Sequence, residues 1–452
     1  MIEAAAGLRE ATWGLPLVLL LAGVGLYLTV LLRGLQFRAL SGALRLAVLE
    51  RDEPTAEGDI SHFQALMTAL AASVGVGNVV GVAVALAAGG PGALFWMWVS
   101  GLLAMATRFA EAVLGVRFRE TDVKGGKSGG PMYYLENGIR WGRLGRSLAL
   151  VFGGFTVLAA LGFGNGVQAH AVSAALSSVS GAPPLVVGAV TATLAGAVVL
   201  GGIRSIGRIV GLVVPALLVA YVGAGCWVLW LEAAVLPDTF RAIFDGAFGV
   251  RAAGGGVAGY TLGQVLGSGL ARGAFSSEAG IGTGAIAASA ARTREPVRQA
   301  LVAMTAPLID TLLVGTLTGL VLLTAAPRPA GAQLPDALLM QRAFAAAFPG
   351  SIAAWFVAVV LAAFAFTTIL AWGYFGERSI QYVAGDRAVM PYRLLFVGII
   401  PLGSVLPLEA LWALSDALRG LMALPNLVGL VLLSGIVARE AKGWCGQPSN
   451  RR

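Results

Sequence analysis

Residues 63–92, FQALMTALAASVGVGNVVGVAVALAAGGPG, form an apolar run long enough to cross a bilayer, and Gly75, Gly77 and Asn78 interrupt it at its centre. In hydrocarbon every backbone N–H and C=O must be satisfied internally, so an unwound centre is tolerated only where it lines a cavity or is buried in protein. Two readings are open at this point. One is a broken helix whose bare backbone and half-helix ends face a solute and its coupling ion. The other is a close helix contact made through small residues.

The rest of the chain supplies the context. Of its 452 residues, 57% are hydrophobic and 12% charged, outside the range of a soluble globular domain. Apolar runs recur from residue 13 to residue 438 with no long polar block between them, which predicts one integral membrane domain and no soluble accessory domain. The net charge of +8 falls mostly in loops between apolar runs, and no basic face with aromatics is gathered for nucleic acid. Cys226 lies within a span and Cys445 in the tail, positions that do not suit a mutual disulfide, and His62 and His170 are the only histidines. A His-rich metal centre is therefore not expected and a catalytic triad has few candidates, and no serine or cysteine has an evident base and orienting acid. An enzyme is not expected.

The apolar run from Trp13 to Leu32 is followed by Arg33, Arg38, Arg45 and Arg51, whereas Arg9 before it lies between Glu3 and Glu10. A signal peptide has the opposite charge order. The positive-inside rule puts the N-terminus outside and loop 33–62 in the cytoplasm. Further spans are expected at 63–90, 93–116, 148–178, 183–202, 208–231, 260–290, 299–325, 351–376, 391–407 and 411–438, each near the ~20 residues that a spanning helix needs. Basic residues then fall in alternate loops: Arg117 to Arg146, Arg204 with Arg208, Arg292 to Arg298, Arg378 to Arg393, and a tail with Arg439, Lys442, Arg451 and Arg452. Loops 89–92 and 179–184 carry no charge and 403–410 carries only Glu409. The threading is eleven spans, N-terminus out and C-terminus in.

Setting aside the first span leaves ten, and the interrupted run is first among them. If the ten form two halves of five, its counterpart is the sixth, and residues 265–291 carry Gly267, Gly269, Gly273, Gly280, Gly282 and Gly284 through an otherwise helical run. Glycine-interrupted spans at corresponding places in two halves point to a midplane binding site in an inverted repeat. The segments are then 1–62 (N-terminus, first span and connector), 63–232 (first five-helix repeat), 233–438 (connector and second repeat) and 439–452 (cytoplasmic tail).

At the interruption, the N–H groups of Gly75, Val76, Gly77 and Asn78 begin the second half-helix, a natural seat for an anion such as a carboxylate. Carbonyls from Ala71 to Val74 end the first half-helix and suit a hard cation such as sodium. Thr367 and Thr368, in the eighth core span, offer hydroxyls to the same ion, or they bond back to their own helix. Asn165, Gln168 and His170 are polar at mid-membrane, with Gln168 the first candidate for substrate, Asn165 the second and His170 structural. Glu278, Asp310 and Arg272 fall within spans and read either as a buried pairing or as a proton or ion site. Arg108 with Glu111, and Asp416 with Arg419, have i, i+3 spacing and are expected to neutralise each other near helix ends. Phe163, Phe275 and Trp372 are aromatics close enough in sequence to these positions to wall a small pocket.

TALAASVGVGNVVGVAVAL followed by GGPGALFWMW, then GGPMYYLENGI, ARGAFSSEAGIGTG and FAFTTILAWGYFGE, in that order from about residue 60 to 440, resemble the alanine or glycine:cation symporters, also called the sodium:alanine symporter family. The resemblance implies an all-α integral membrane protein of the leucine-transporter fold, with five plus five helices after one extra N-terminal helix. It implies import of alanine or glycine with co-transported sodium across the plasma membrane, in contact with lipid. Carried onto this chain, it places substrate at Gly75, Val76, Gly77, Asn78, Gln168, Phe275 and Trp372. It places sodium at the carbonyls of Ala71, Val74 and Phe364 with the hydroxyls of Thr367 and Thr368. Val76 stands where family members often have Thr, which leaves the carboxylate to a backbone grip. Ala72 stands where some relatives in the wider fold have Asn, which speaks against a second sodium site. The readings that compete with sodium symport are a proton-coupled carrier using Glu278 or Asp310, and a passive channel or solute sensor.

Overall fold

A computed structural model describes residues 14–446 apart from 51, 54, 124, 249–260, 326–335 and 407. Residues 1–13, with Glu3, Arg9, Glu10 and Trp13, lie outside the described residues, as do Arg51, Lys124, Arg451, Arg452 and the side chains of Val76, Glu409 and Cys445.

The described chain is helical apart from a two-stranded antiparallel hairpin that pairs Glu120 with Ser128 and Thr121 with Lys127, and an isolated parallel bridge between Ile60 and Ala291. Among the described residues, six helical stretches are long and apolar enough to cross a membrane: Gly92–Arg117, Gly142–Ser180, Gly202–Leu231, Pro296–Ala325, Ile352–Ala384 and Trp412–Leu432. Leu15–Leu31, Val80–Gly89 and Pro184–Val199 are shorter apolar helices. Most of Gly92–Arg117 is buried, whereas Gly202–Leu231 turns Leu212, Val219 and Trp230 outward. Apolar side chains facing out around a polar-lined interior match a protein whose solvent is lipid. The chain is a multi-pass membrane protein.

The helices follow the apolar runs with informative differences. The run expected at 148–178 begins six residues earlier, at Gly142, and carries a π-helical turn at Gly162–Val167; a second π turn, Leu308–Gly315, interrupts the stretch after Pro296. Such turns often mark functional sites. The run expected to end at 438 stops at Leu432, and a separate helix, Ser434–Gly446, follows.

Both glycine-interrupted runs are broken helices. The first starts at His62 on a capping box in which Ser61 Oγ accepts from the Gln64 N–H at 3.1 Å and Gln64 Oε1 from the Ser61 N–H at 3.0 Å. It ends at Ser73; Val74 and Gly75 are extended, and helix resumes over Val76–Gly89. The second, Leu262–Ser277, starts on the same device built from Thr261 and Gln264. It ends where Glu278 adopts a left-handed conformation, and resumes over Thr283–Ser289. Gly280 and Gly282, at φ +88° and +96°, hold the intervening turn in a region that side chains rarely enter.

The entry to the first broken helix is stitched to the exit of the second. Asp59 and Ile60 N–H groups donate to the Ala290 carbonyl, and the Arg292 N–H donates to Ile60. The Arg119 guanidinium donates to four backbone carbonyls, those of Ser289, Ala291, Thr293 and Glu57, at 2.6–3.1 Å. Beside it Lys127 Nζ bonds Glu57 Oε2 at 2.5 Å, and that contact holds the Glu57 carboxyl below its ordinary range.

Candidate substrate and cation site

The break at residues 74 and 75 sits against the middle of the Ile352–Ala384 helix. Thr368 Oγ1 donates to the Ala71 carbonyl at 2.8 Å and to the Phe364 carbonyl at 3.0 Å, and Thr367 Oγ1 donates to Phe364 at 2.9 Å. Both readings of the threonine pair therefore hold: each hydroxyl bonds back along its own helix, and Thr368 also reaches across to the end of the first half-helix. Ala71, Val74, Phe364, Thr367 and Thr368 are all buried. Four of these expected cation ligands fall in one hydrogen-bonded cluster of carbonyls and hydroxyls, an all-oxygen donor set that suits a hard cation. Gly75 closes on it, since a Cβ there would stand 3.0 Å from Thr368 Oγ1.

Next to this cluster lies an internal cavity of ≈ 10 Å³, lined by Ala72, Ser73, Gly75, Gly77, Phe163, Gln168, Phe275, Glu278, Thr368 and Arg419. That volume holds about one water molecule. Gly75, Gly77, Gln168 and Phe275 are thus brought together as the sequence implies, and Gln168 Oε1, buried, has no hydrogen-bond partner among the described residues. Trp372 and Asn78 stand behind the wall. Trp372 packs edge-on against Phe163 with ring centroids 5.5 Å apart. The Asn78 side chain is committed to protein: Nδ2 donates to the Asp310 carbonyl at 3.0 Å and Oδ1 accepts from Ser276 Oγ at 2.7 Å. Asn165 Nδ2 bonds the Phe396 carbonyl, and His170 Nδ1 lies 3.1 Å from the Leu406 carbonyl, away from the cavity.

The charges at the second break correct the expectation drawn from i, i+3 spacing. Arg108, Glu111, Glu278 and Arg419 are each at most 1% exposed, at the heart of the fold and not at helix ends. Arg108 donates through Nη2 and Nε to the Ser277 carbonyl at 2.6 and 3.2 Å, covering the negative end of the Leu262–Ser277 helix. Glu111 Oε1 accepts from the Gly280 and Gly282 N–H groups at 2.9 and 3.0 Å, and from Asn426 Nδ2 at 2.9 Å. One ion pair, Nη1 to Oε2 at 3.5 Å, thus satisfies both raw ends of a broken helix. Arg419 lies between Phe163 and Phe275, its Cζ 3.9 and 4.0 Å from the ring centroids, and reaches Glu278 at 3.3 Å, closer than its helix neighbour Asp416 at 3.9 Å. The signal that locates these residues is a charge at mid-span together with a glycine-rich break elsewhere that needs capping.

A family model described as "Sodium:alanine symporter family" matches residues 2–452. The chain belongs to this family. A relative within it, the sodium/alanine symporter AgcS of Methanococcus maripaludis, is 44% identical over 434 residues, covering 96% of this chain and 94% of its own. The putative sodium/proton-dependent alanine carrier protein YrbD of Bacillus subtilis is 32% identical, with coverage of 96% and 90%. Among solved structures, a point mutant of the manganese transporter of Eremococcus coleocola matches with a TM-score of 0.55 at 16% identity, over 85% of this chain and 79% of its own. At that identity the likeness concerns the fold alone. Family members are transporters, and the membrane-embedded helices described above are those of one.

Proposed function

We propose that this symporter-family member imports small neutral amino acids, alanine or glycine, with sodium across the plasma membrane by alternating access. The observation that carries the reading is the Ala71, Phe364, Thr367 and Thr368 oxygen cluster, set against Gly75 at the edge of the cavity. Sodium bound there, with Val74 contributing its carbonyl, ties the first broken helix to the Ile352–Ala384 helix. That fixes the N–H end at Gly75, Val76, Gly77 and Asn78 for the substrate carboxylate, so each ligand raises affinity for the other. Gln168, with its unpartnered oxygen, faces the substrate ammonium, and Phe275 and Trp372 limit side-chain size. A cavity of ≈ 10 Å³ admits alanine only after Phe163, Phe275 and Arg419 draw apart.

Eleven spans with the N-terminus out, arranged as repeats over 63–232 and 233–438, accompany this reading. The matching capping boxes at Ser61/Gln64 and Thr261/Gln264, each opening a broken helix, support the repeat. Uptake of labelled alanine into proteoliposomes with and without an inward sodium gradient tests the coupling; uptake indifferent to the gradient rules it out. Proton coupling is the second reading, favoured by the name of the Bacillus subtilis relative and by the buried Asp310 carboxylate. Uptake driven by an imposed pH gradient in sodium-free buffer selects it.

A further inference from the structure

The chain turns sharply where its first described helix ends. Leu15–Leu31 stops at Arg33 and Gly34, which both adopt left-handed backbone at φ +55° and +64°, and two short helices follow, Leu35–Arg38 and Leu40–Val48. Arginine does not favour that region, so the surroundings hold the turn. The Gly34 N–H donates to the Thr29 carbonyl at 2.8 Å, and the buried Gln36 donates through Nε2 to Thr29 Oγ1 at 2.9 Å. The elbow is thereby fixed to the last turn of the apolar helix.

One side of the second short helix is covered, since Ala43 and Ala47 are buried and the helix packs on Pro296–Ala303. The other side is open. Phe37, Leu44, Val48 and Leu49 are exposed, Leu49 at 74%, and Leu44 and Val48 lie one turn apart on a single stripe. The Phe37 ring lies over Gly34, where a Cβ would stand 3.5 Å from it, so the stripe reaches the elbow itself. Across the elbow Leu26 and Val30 point outward, Val30 at 70% exposure, from a helix whose surroundings are lipid. Arginines flank the stripe. Arg33 and Arg38 are exposed and form no ion pair or side-chain hydrogen bond among the described residues. Arg45 is exposed and pairs with Glu50 at 3.2 Å, but Glu50 is already neutralised by Arg298 at 2.8 Å.

An apolar stripe with basic flanks, adjoining a lipid-facing helix, fits a surface that is apolar below and anionic above. We propose that residues 33–49 dock on acidic phospholipids of the cytoplasmic leaflet, with Arg33, Arg38 and Arg45 on the headgroup phosphates and Phe37, Leu44 and Leu49 among the upper acyl carbons. The proposal rests on the orientation given above, which puts this connector in the cytoplasm. It also ties transport to lipid. Glu50 and Glu53 bond Arg298 at 2.8 and 2.9 Å, on the helix that follows the second break, and the connector ends at the Ser61 cap of the first broken helix. A leaflet that holds the elbow therefore holds the segment leading into that helix.

Native mass spectrometry of the purified full chain in detergent, titrated with phosphatidylglycerol or phosphatidylcholine, tests the docking. The native protein is expected to bind phosphatidylglycerol at least about tenfold more tightly. Arg33→Gln with Arg38→Gln and Arg45→Gln is expected to abolish the preference, and Phe37→Ser with Leu44→Ser to weaken binding of both lipids. Equal binding of the two lipids by native protein, or an unchanged preference in the glutamine variant, overturns the proposal. Displacement of the lipid by an equal concentration of soluble glycerol phosphate shows an anion site without a membrane and overturns it too. So does a native dimer that becomes monomeric in Phe37→Ser with Leu44→Ser, which assigns the stripe to a second copy. Should the glutamine variant not be monodisperse, rising ammonium acetate must weaken the native preference, and a preference indifferent to salt overturns the arginine contacts. Ser41→Cys in a background of Cys226→Ser and Cys445→Ser reports the side of the membrane: labelling of intact cells by an impermeant maleimide overturns the cytoplasmic assignment, and labelling only after permeabilisation supports it. Alanine uptake by native protein is expected to be several-fold faster in vesicles of phosphatidylcholine with phosphatidylglycerol than in phosphatidylcholine alone, and uptake by the glutamine variant to be the same in both. Native uptake equal in both vesicles overturns the tie to transport. A lipid preference with no alanine uptake in any vesicle supports the docking and counts against the transport reading alone.

Discussion

Thr368 Oγ1 donates to the Ala71 carbonyl at 2.8 Å across 297 residues of chain, the one hydrogen bond described here between the first half-helix and the Ile352–Ala384 helix at the proposed sodium site. Replacing Thr367 and Thr368 together by Val removes two hydroxyl ligands while keeping shape. Half-saturating sodium for alanine uptake is expected to rise at least about tenfold, ~1.4 kcal/mol or more. An unchanged sodium dependence removes the site assignment.

Gly75 has φ −157°, an extended conformation open to any residue, so its need for glycine is a matter of contact and not of strain. A methyl there meets Thr368 Oγ1 at 3.0 Å. Gly75→Ala is expected to leave detergent-solubilised protein as stable as native within about 1 kcal/mol while weakening sodium dependence several-fold. Sodium titration of uptake and thermal unfolding separate the two effects.

Gln168 presents a buried, unpartnered oxygen to the cavity wall. Gln168→Leu keeps volume and removes the polar head. The KM for alanine is expected to rise about tenfold or more, in keeping with ~1.5–3 kcal/mol for a lost hydrogen bond to a charged group, with half-saturating sodium moved less than in the threonine variants.

Arg108 and Glu111 cap the two ends of the second break, so removing one leaves the other as an unpaired buried charge. Glu111→Ala is expected to destabilise by about 3–5 kcal/mol, read as a lowered unfolding temperature and loss of monodisperse protein. Gly284→Ala perturbs the same pair from the opposite side, because a Cβ there collides with Arg108 Nη1. It is expected to share the defect.

The two broken helices were legible because their cause is local: glycines and an asparagine at mid-run have few uses in hydrocarbon. Thr367 and Thr368 were legible for the same reason, as hydroxyls in an apolar stretch. The capping of the second break was not, because Glu111 meets Gly280 across 169 residues and spacing along one helix says nothing about that. Reading Arg108 and Glu111, or Asp416 and Arg419, as self-contained pairs was a local answer to a tertiary question. The paired capping boxes at Ser61 and Thr261 were present in the sequence as S-x-x-Q and T-x-x-Q, and they bear on the proposed repeat more directly than glycine content does. The π turn that carries Asp310 has no comparable local signature.

Arg119 grips four carbonyls and no side chain. Its acceptors belong to the course of the backbone, so substitutions at 57, 289, 291 or 293 leave them in place, and only displacement of whole segments breaks the hold. Because one planar fork bridges both segments, a lysine's single ammonium is a poor replacement. On the proposed alternating-access cycle, Arg119→Lys is therefore expected to change the rate of alanine uptake more than the KM, since the position is remote from the cavity.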